Sequence, residues 1–395
     1  MGRSLLSVSI VTGPSTPELL GRLAKTEAKV RLGLLASPRQ GEGPASNSET
    51  TSLFVEELAR PRAGDGYVPE QIAKQIRAIA NRKSVDHLLI ECDAATPPMA
   101  FASLFVPQAE TAHSLPEVAR LAATILAITP TLLLDALIHR RDAADTFSPC
   151  FIAEQMEFAS IVFLQGDPND PAFGLAGEII LALNPAAQVF ELSQDNLERV
   201  LEGAGAFDFA AALEGAGWRK LIESDYADQL QGKVRALAYH ARKPFHPARF
   251  WNLLHEGFSG VFRAKGFFWL ASRMDFAGGL NLAGAEFHCA SAGNWWAARD
   301  DHAREFHMPV RTRKEWQEPF GDRRQAIAFF GIELDPDSLR RQLDSCLLTD
   351  SEAAGGEAGW QELIDPFPSW SSHHHHHDHG CDHDHGSGEH DCCHH

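Results

Sequence analysis

"LSVSIVTGPSTPELLGRL", residues 6–23, decides how the chain is read. Leu6, Val8 and Ile10 alternate with serines, the period of a half-buried strand. Gly13 and Pro14 then interrupt it. Thr16 is a candidate N-cap, and Pro17 stands at the first helical position, where its missing N–H costs nothing. A strand and a turn therefore lead straight into a helix. Outward from there the pattern repeats. "VRLGLLAS" is a strand, and "PRQGEGPASNSE" is a Gly-, Pro- and Ser-rich loop. "EQIAKQIRAIANR" is a helix by the spacing of Ile72, Ile76 and Ile79, and "DHLLIECD" is a buried strand. "ATILAIT" and "ASIVFLQ" are two more, with the helix "SPCFIAEQMEF" before the second. Nearly continuous apolar strands separated by helices predict a mostly parallel sheet with helices on both faces.

From residue 233 the register changes. "GKVRALAYHARKPF" opens a second, smaller α/β unit. It continues with a helix in "PARFWNLLHEGF", strands in "VFRAKGFFWLASR" and "RRQAIAFFGIEL", and a helix in "DPDSLRRQLDSCLL". The chain has 395 residues, 44% of them hydrophobic and 22% charged, with a formal charge of −18. That length predicts two folded domains plus tails. The charge argues against nucleic acid or an anionic membrane as partner and suits a protein that handles cations. The longest apolar span, "LAATILAITPTLLLDALI" from Leu121, is interrupted by Pro130 and threonines, so no membrane crossing is predicted. The first residues read as a strand rather than a signal peptide. Four of the seven cysteines are dispersed and three lie at the end, which is no disulfide framework, and the expected location is cytoplasmic.

Six blocks of the second unit occur in a fixed order: "KPFHPARF", "KGFFWLASR", "GNWW", "GDRRQAIAFFG", "LDSCLLTD" and "DPFPSW". Together they resemble the C-terminal domain of the CobW-like family of P-loop GTPases and metal chaperones. "DHLLIECDAATPPMAFASLF", "FIAEQMEFASIVFLQGDPND" and "ALNPAAQVFEL" resemble, more faintly, that family's GTPase domain. With the change of register near 233 and the low-complexity end from Ser371, the resemblance implies a P-loop-GTPase-like first domain over 1–232 and a CobW-type C-terminal domain over 233–370, followed by a tail over 371–395. It also implies GTP with Mg²⁺, and delivery of a metal such as zinc or cobalt.

Three motifs that the resemblance implies are missing. A P-loop needs Gly-x-x-x-x-Gly-Lys-Ser/Thr, whose backbone N–H groups cradle phosphates and whose hydroxyl binds Mg²⁺. After the first strand this chain has Gly13 but no Gly-Lys-Ser/Thr. In place of the guanine-reading Asn-Lys-x-Asp stands Gln165-Gly166-Asp167-Pro168. The metal motif Cys-x-Cys-Cys is replaced by the cysteine-free "ARPRAGDGYVPEQ". Gly13, Glu91 and Asp167 are the remnant of a nucleotide site, and no catalytic residue is assigned. The reading is a degenerate GTPase domain without GTP hydrolysis. The alternatives are a GTP-binding protein with an unorthodox site, or a regulatory partner of a complete family member.

The tail reads "HHHHHDHGCDHDHGSGEHDCCHH" and carries eleven of the twenty histidines. Its candidate ligands are His373, His374, His375, His376, His377, His379, Cys381, His383, His385, His390, Cys392, Cys393, His394 and His395. Imidazole and thiolate suit Zn²⁺, Co²⁺ or Ni²⁺, and the interleaved carboxylates can orient the imidazoles. So many alternative ligand sets predict labile, exchangeable binding. The segment has no apolar side chain to pack and is expected to be disordered without metal. A five-histidine run can be a purification tag, but its continuation is unlike one. Divalent metal ions are the expected partners. A client metalloprotein, or a complete CobW-family GTPase, is expected at the C-terminal domain. His288 and Cys289, adjacent on a strand, point to opposite faces and are not expected to share an ion.

Overall fold

The computed structural model describes residues 5–25, 30–37, 54–58, 69–92, 96–107, 114–139, 148–203, 207–230 and 232–370. The opening stretch forms β1 (Leu6–Thr12) and α1 (Thr16–Leu23). The helix starts one residue earlier than its sequence suggests: Ser15 is the cap, without a side-chain bond, and Thr16 is already helical. β1 lies at the centre of a seven-stranded sheet. The other strands are β2 (Leu32–Ala36), β3 (Phe54–Glu57), β4 (His87–Glu91), β5 (Ala119–Ile128), β6 (Ile161–Leu164) and β7 (Gln188–Glu191), in the order β3-β2-β4-β1-β5-β6-β7. Every pairing is parallel.

Parallel strands need covering on both faces, and alternation along β1 shows how. Val8 and Ile10 pack with Ile72, Ile76 and Ile79 of α2 (Pro69–Arg82). Val11 points the other way, towards Leu19 and Leu23 of α1 and Leu197 and Leu201 of α5 (Gln194–Gly203). Between them in sequence, α3 (Pro149–Phe158) and α4 (Pro171–Leu183) cover the β5–β6 side. Both have proline in the first turn, and each is capped by a side chain, Ser148 for α3 and Asp170 for α4.

The second sheet is antiparallel throughout, a point the sequence left open. It comprises β8 (Val234–Ala241), β9 (Val261–Phe268), β10 (Phe276–Ala283), β11 (Glu286–Asn294) and β12 (Gln325–Ile332), in the order β11-β10-β9-β12-β8. Alternation along β12 assigns its two faces. Ile327 and Phe329 join α7 (Pro247–Glu256) and α8 (Pro336–Cys346) in one core. Ala328 and Phe330 belong to a different core, which they share with Leu126, Leu133, Met156, Ile179 and Leu183 of the first domain. Trp218 and Leu221 of α6 (Gly217–Glu223) fill the space between the sheets. Among the described residues no helix is long and apolar enough to cross a membrane.

Polar groups also join the two sheets. Arg263 on β9 is fully buried, and its Nε donates to Glu157 Oε1 of α3 at 2.7 Å. Lys265 Nζ reaches Glu157 Oε2 at 3.0 Å and Glu154 at 3.1 Å. Burial works to raise the Glu157 pKa, but Arg263 and Lys265 overcome it and hold the carboxylate below its ordinary range.

The β10–β11 hairpin turns at Gly284 and rests on the first domain there. Gly284 has φ +56°, and a Cβ on it would stand 2.2 Å from the Ala136 carbonyl oxygen. Gly284→Val combines a positive φ with a backbone clash, so it is expected to cost about 2 kcal/mol or more. The urea midpoint should drop accordingly. An unchanged midpoint would mean that the hairpin tip does not bear on Ala136.

Candidate nucleotide and metal sites

The C-terminal edge of a doubly wound parallel sheet is where ligands bind, and Gly13, Glu91 and Asp167 all lie along it. Gly13 follows β1, Glu91 ends the neighbouring β4 opposite Val11, and Asp167 follows β6, on the far side of β5. Their local chemistry differs from that of a nucleotide site. Only Gly13, Pro14 and Ser15 separate β1 from α1. Gly13 has φ +102°, and a Cβ there would lie 2.4 Å from the Ala127 carbonyl oxygen, so the turn hugs β5. Ser15 N–H donates to that oxygen at 3.0 Å and Thr16 N–H donates to Gly13 O at 3.1 Å. Pro14 has no N–H. A phosphate cradle needs several N–H groups converging on open space, and two of the donors here are turned inward.

Glu91 is buried, and its Oε2 accepts the Ser37 N–H at 3.1 Å, which ties β4 to the end of β2. Asp167 is exposed and closes a turn: its Oδ1 accepts Asn169 N and Nδ2, both at 2.9 Å. The Asn169 amide holds its carboxyl below the usual range. The candidate tail ligands His373 to His395 lie outside the described residues, as does the segment 59–68, where Cys-x-Cys-Cys was expected.

A third cluster unites residues from both domains. α3 begins at Ser148-Pro149-Cys150, and β11 begins at Glu286 with His288 two residues on, so both β11 side chains point to the same face. Glu286 Oε2 accepts Ser148 Oγ at 2.5 Å and the Cys150 N–H at 3.1 Å. Its Oε1 meets His288 Nε2 at 2.7 Å. The Cys150 thiol faces the carbonyl oxygens of Asn281 and Glu286, each at 3.6 Å. One ligand atom from each of Cys150, Glu286 and His288 falls within 4.8 Å of the others. Burial pushes the Cys150 thiol up to about 12, while hydrogen bonds from Ser148 and Cys150 N–H help hold Glu286 low against its own burial. Cys150 is buried and His288 exposed, so the cluster opens outward on one side.

Residues 234–347 match the family model of the cobalamin synthesis protein cobW C-terminal domain. That stretch of the second domain is similar to a CobW C-terminal domain. Beyond it, the chain is 27% identical over 318 residues to a Dictyostelium discoideum protein named zinc-regulated GTPase metalloprotein activator 1, over 75% of this chain and 67% of that one. It is 36% identical over 144 residues to a Mycobacterium tuberculosis protein named as a zinc chaperone, which covers 35% of each chain. The overlay on the Zn(II)-bound YjiA GTPase from E. coli covers 87% of this chain and 99% of that chain, with 13% identity and a TM-score of 0.36.

Within the CobW domain, the blocks that carried the resemblance turn out to be fasteners. In "DPFPSW", Asp365 accepts Arg273 Nε at 2.7 Å and Nη2 at 3.0 Å, and the same guanidinium donates to the carbonyl oxygens of Phe367 and Pro368. It also stacks over Trp370, the last described residue before the tail. In "GDRRQ", Asp322 offers Arg324 its carbonyl oxygen, at 3.0 Å, rather than its carboxylate. It accepts the N–H groups of Trp296 and Ala297, while Arg324 pairs with Glu315. Trp269 and Trp295 are buried in one core, and the Cys346 thiol is buried against Gln342 O. His240 and His255 are exposed, and His246 caps α7 without a side-chain bond. His288 and Cys289 do face opposite ways, Cys289 towards the α7 core.

The sequence separated His288 from Cys289 but did not join it to Glu286 or Cys150. The signal was Glu286-x-His288, two donors at the period of a strand face. Cys150 was out of reach, because it lies 136 residues before Glu286 and meets it only once the two sheets are packed.

Proposed function

We propose that the chain is a metal-handling protein of the CobW type that binds Zn²⁺, or Co²⁺ or Ni²⁺, through its C-terminal tail and does not hydrolyse GTP. Its CobW domain would dock a client metalloprotein or a complete family GTPase. The observation that carries this reading is the β1–α1 turn. It keeps the strand–turn–helix order of a nucleotide site but turns the Ser15 and Thr16 donors inward. The tail's imidazoles and thiols supply ligands that suit these ions, and two relatives bear names that refer to zinc.

The test measures metal and nucleotide together. Replacing every His and Cys after Ser372 by Ser is expected to remove most of the Zn²⁺ bound by the full-length protein at pH 7.5. Binding by the unchanged tail should weaken as pH falls through about 6.5, where imidazole takes up protons. Undiminished zinc stoichiometry in the substituted protein would refute the tail as carrier. Calorimetry with GTP and Mg²⁺ should show no heat of binding.

One observation favours the runner-up, a GTP-binding chain with an unorthodox site. The hydroxyls of Thr12 and Thr16, on either side of the turn, are buried without hydrogen-bond partners. Micromolar GTP affinity, lost in Thr16→Val, would establish that reading instead.

A further inference from the structure

We infer that Cys150, Glu286 and His288 form a second metal site, taking one Zn²⁺-like cation at the junction of the two domains. It goes beyond the tail reading and shares no residue with it.

The donor set is the first reason. Thiolate, imidazole and carboxylate together suit Zn²⁺ or Co²⁺, and three protein ligands leave a fourth position for water or an incoming donor. The geometry is the second. Donor atoms around a tetrahedral zinc with bonds of 2.0–2.3 Å sit roughly 3.3–3.8 Å apart, and these three already lie within 4.8 Å of one another. Closing the remainder asks little, because the His288 side chain is 62% exposed and free to turn. The surroundings are the third. Ser148 Oγ and the Cys150 N–H hold Glu286 Oε2, which fixes the carboxylate while Oε1 points to His288. Ligating carboxylates are oriented by such outer hydrogen bonds.

On binding, the cation takes the place of the direct His288–Glu286 contact and displaces the Cys150 thiol proton, which leaves to solvent. Cys150 and Ser148 start α3 of the first domain, and Glu286 and His288 start β11 of the CobW domain, so a bound ion bonds the two domains to each other.

The experiment uses the full-length protein with every His and Cys after Ser372 changed to Ser, so that failure here and failure of the tail reading are separable. Titration with Co²⁺ should reveal one bound equivalent with thiolate-to-cobalt absorption in the near ultraviolet, displaced by Zn²⁺. Cys150→Ser should abolish that band. His288→Ala, at an exposed position, should weaken Co²⁺ at least about tenfold while the fold persists, and Ser148→Ala should weaken it by a similar factor through loss of orientation. The proposal is overturned if the tail-substituted protein shows no thiolate band, if the band survives Cys150→Ser, or if His288→Ala binds Co²⁺ unchanged. Survival in Cys150→Ser would point to Cys92, Cys289 or Cys346 as the thiolate.

Discussion

Glu157→Ala is expected to destabilise the protein by about 4–5 kcal/mol, because it strands a guanidinium that can neither reach water nor lose its proton. Arg263 is fully buried, and with Glu157 gone its remaining acceptors are neutral, Asn281 Oδ1 at 2.5 Å and Leu282 O at 2.9 Å. The reverse change is milder. Arg263→Ala leaves Glu157 with Lys265 at 3.0 Å, and a carboxylate can also take a proton, so about 3 kcal/mol is expected. The asymmetry itself is the measurement: urea unfolding of both single variants should rank Glu157→Ala as the worse. Replacing both by apolar residues of similar size, Glu157→Leu with Arg263→Met, should recover most of the loss. Equal midpoints for Glu157→Ala and the parent would mean that water reaches the junction.

Stability should also fall by on the order of 3 kcal/mol as pH drops from about 6.5 to about 4, on account of His87 alone. This side chain begins β4, is 3% exposed, and meets Ser9 Oγ at 2.9 Å. Burial lowers its pKa to about 4, with Arg120 adding to the effect. The sign follows from which state takes the proton first. Below about 6.5 the unfolded histidine is protonated while the folded one stays neutral, so acid pulls the equilibrium towards unfolding. The contribution is complete above 6.5 and is gone once the folded group also titrates near 4. His87→Gln keeps a partner for Ser9 and removes the titration, so its stability should be nearly flat across that window. Glu157 is held down and loses its contribution only below about 4.3, where unfolded glutamate takes up protons, so the two groups separate on the pH axis. A parent protein with no slope between pH 6.5 and 4.5 would show His87 to be hydrated.

Where periodicity was strong the fold was legible. The isoleucines of α2, the alternation in β1 and the unbroken apolar runs of β4, β5 and β6 each predicted one element, and parallel pairing followed from their burial on both faces. β3 and β10 were not legible. β3 is a four-residue strand paired, among the described residues, only with β2, and β10 contains Gly278 and Gly279, which weaken any strand pattern. The absence of the phosphate and guanine motifs was legible, but the inward turn of the Ser15 N–H depends on the approach of Ala127 from β5. The Cys150–Glu286–His288 cluster depends on how two sheets pack, which no local pattern encodes.

The core beneath Ala328 and Phe330 makes the first domain part of the folding unit of the second. Phe262, Ala283, Ala328 and Phe330 of the CobW domain are covered by side chains from α3, α4 and the β5 region. A gene shortened to the CobW domain would expose that apolar face to water and yield a sticky, aggregation-prone fragment. The first sheet and its helices therefore cannot be deleted without exposing that face.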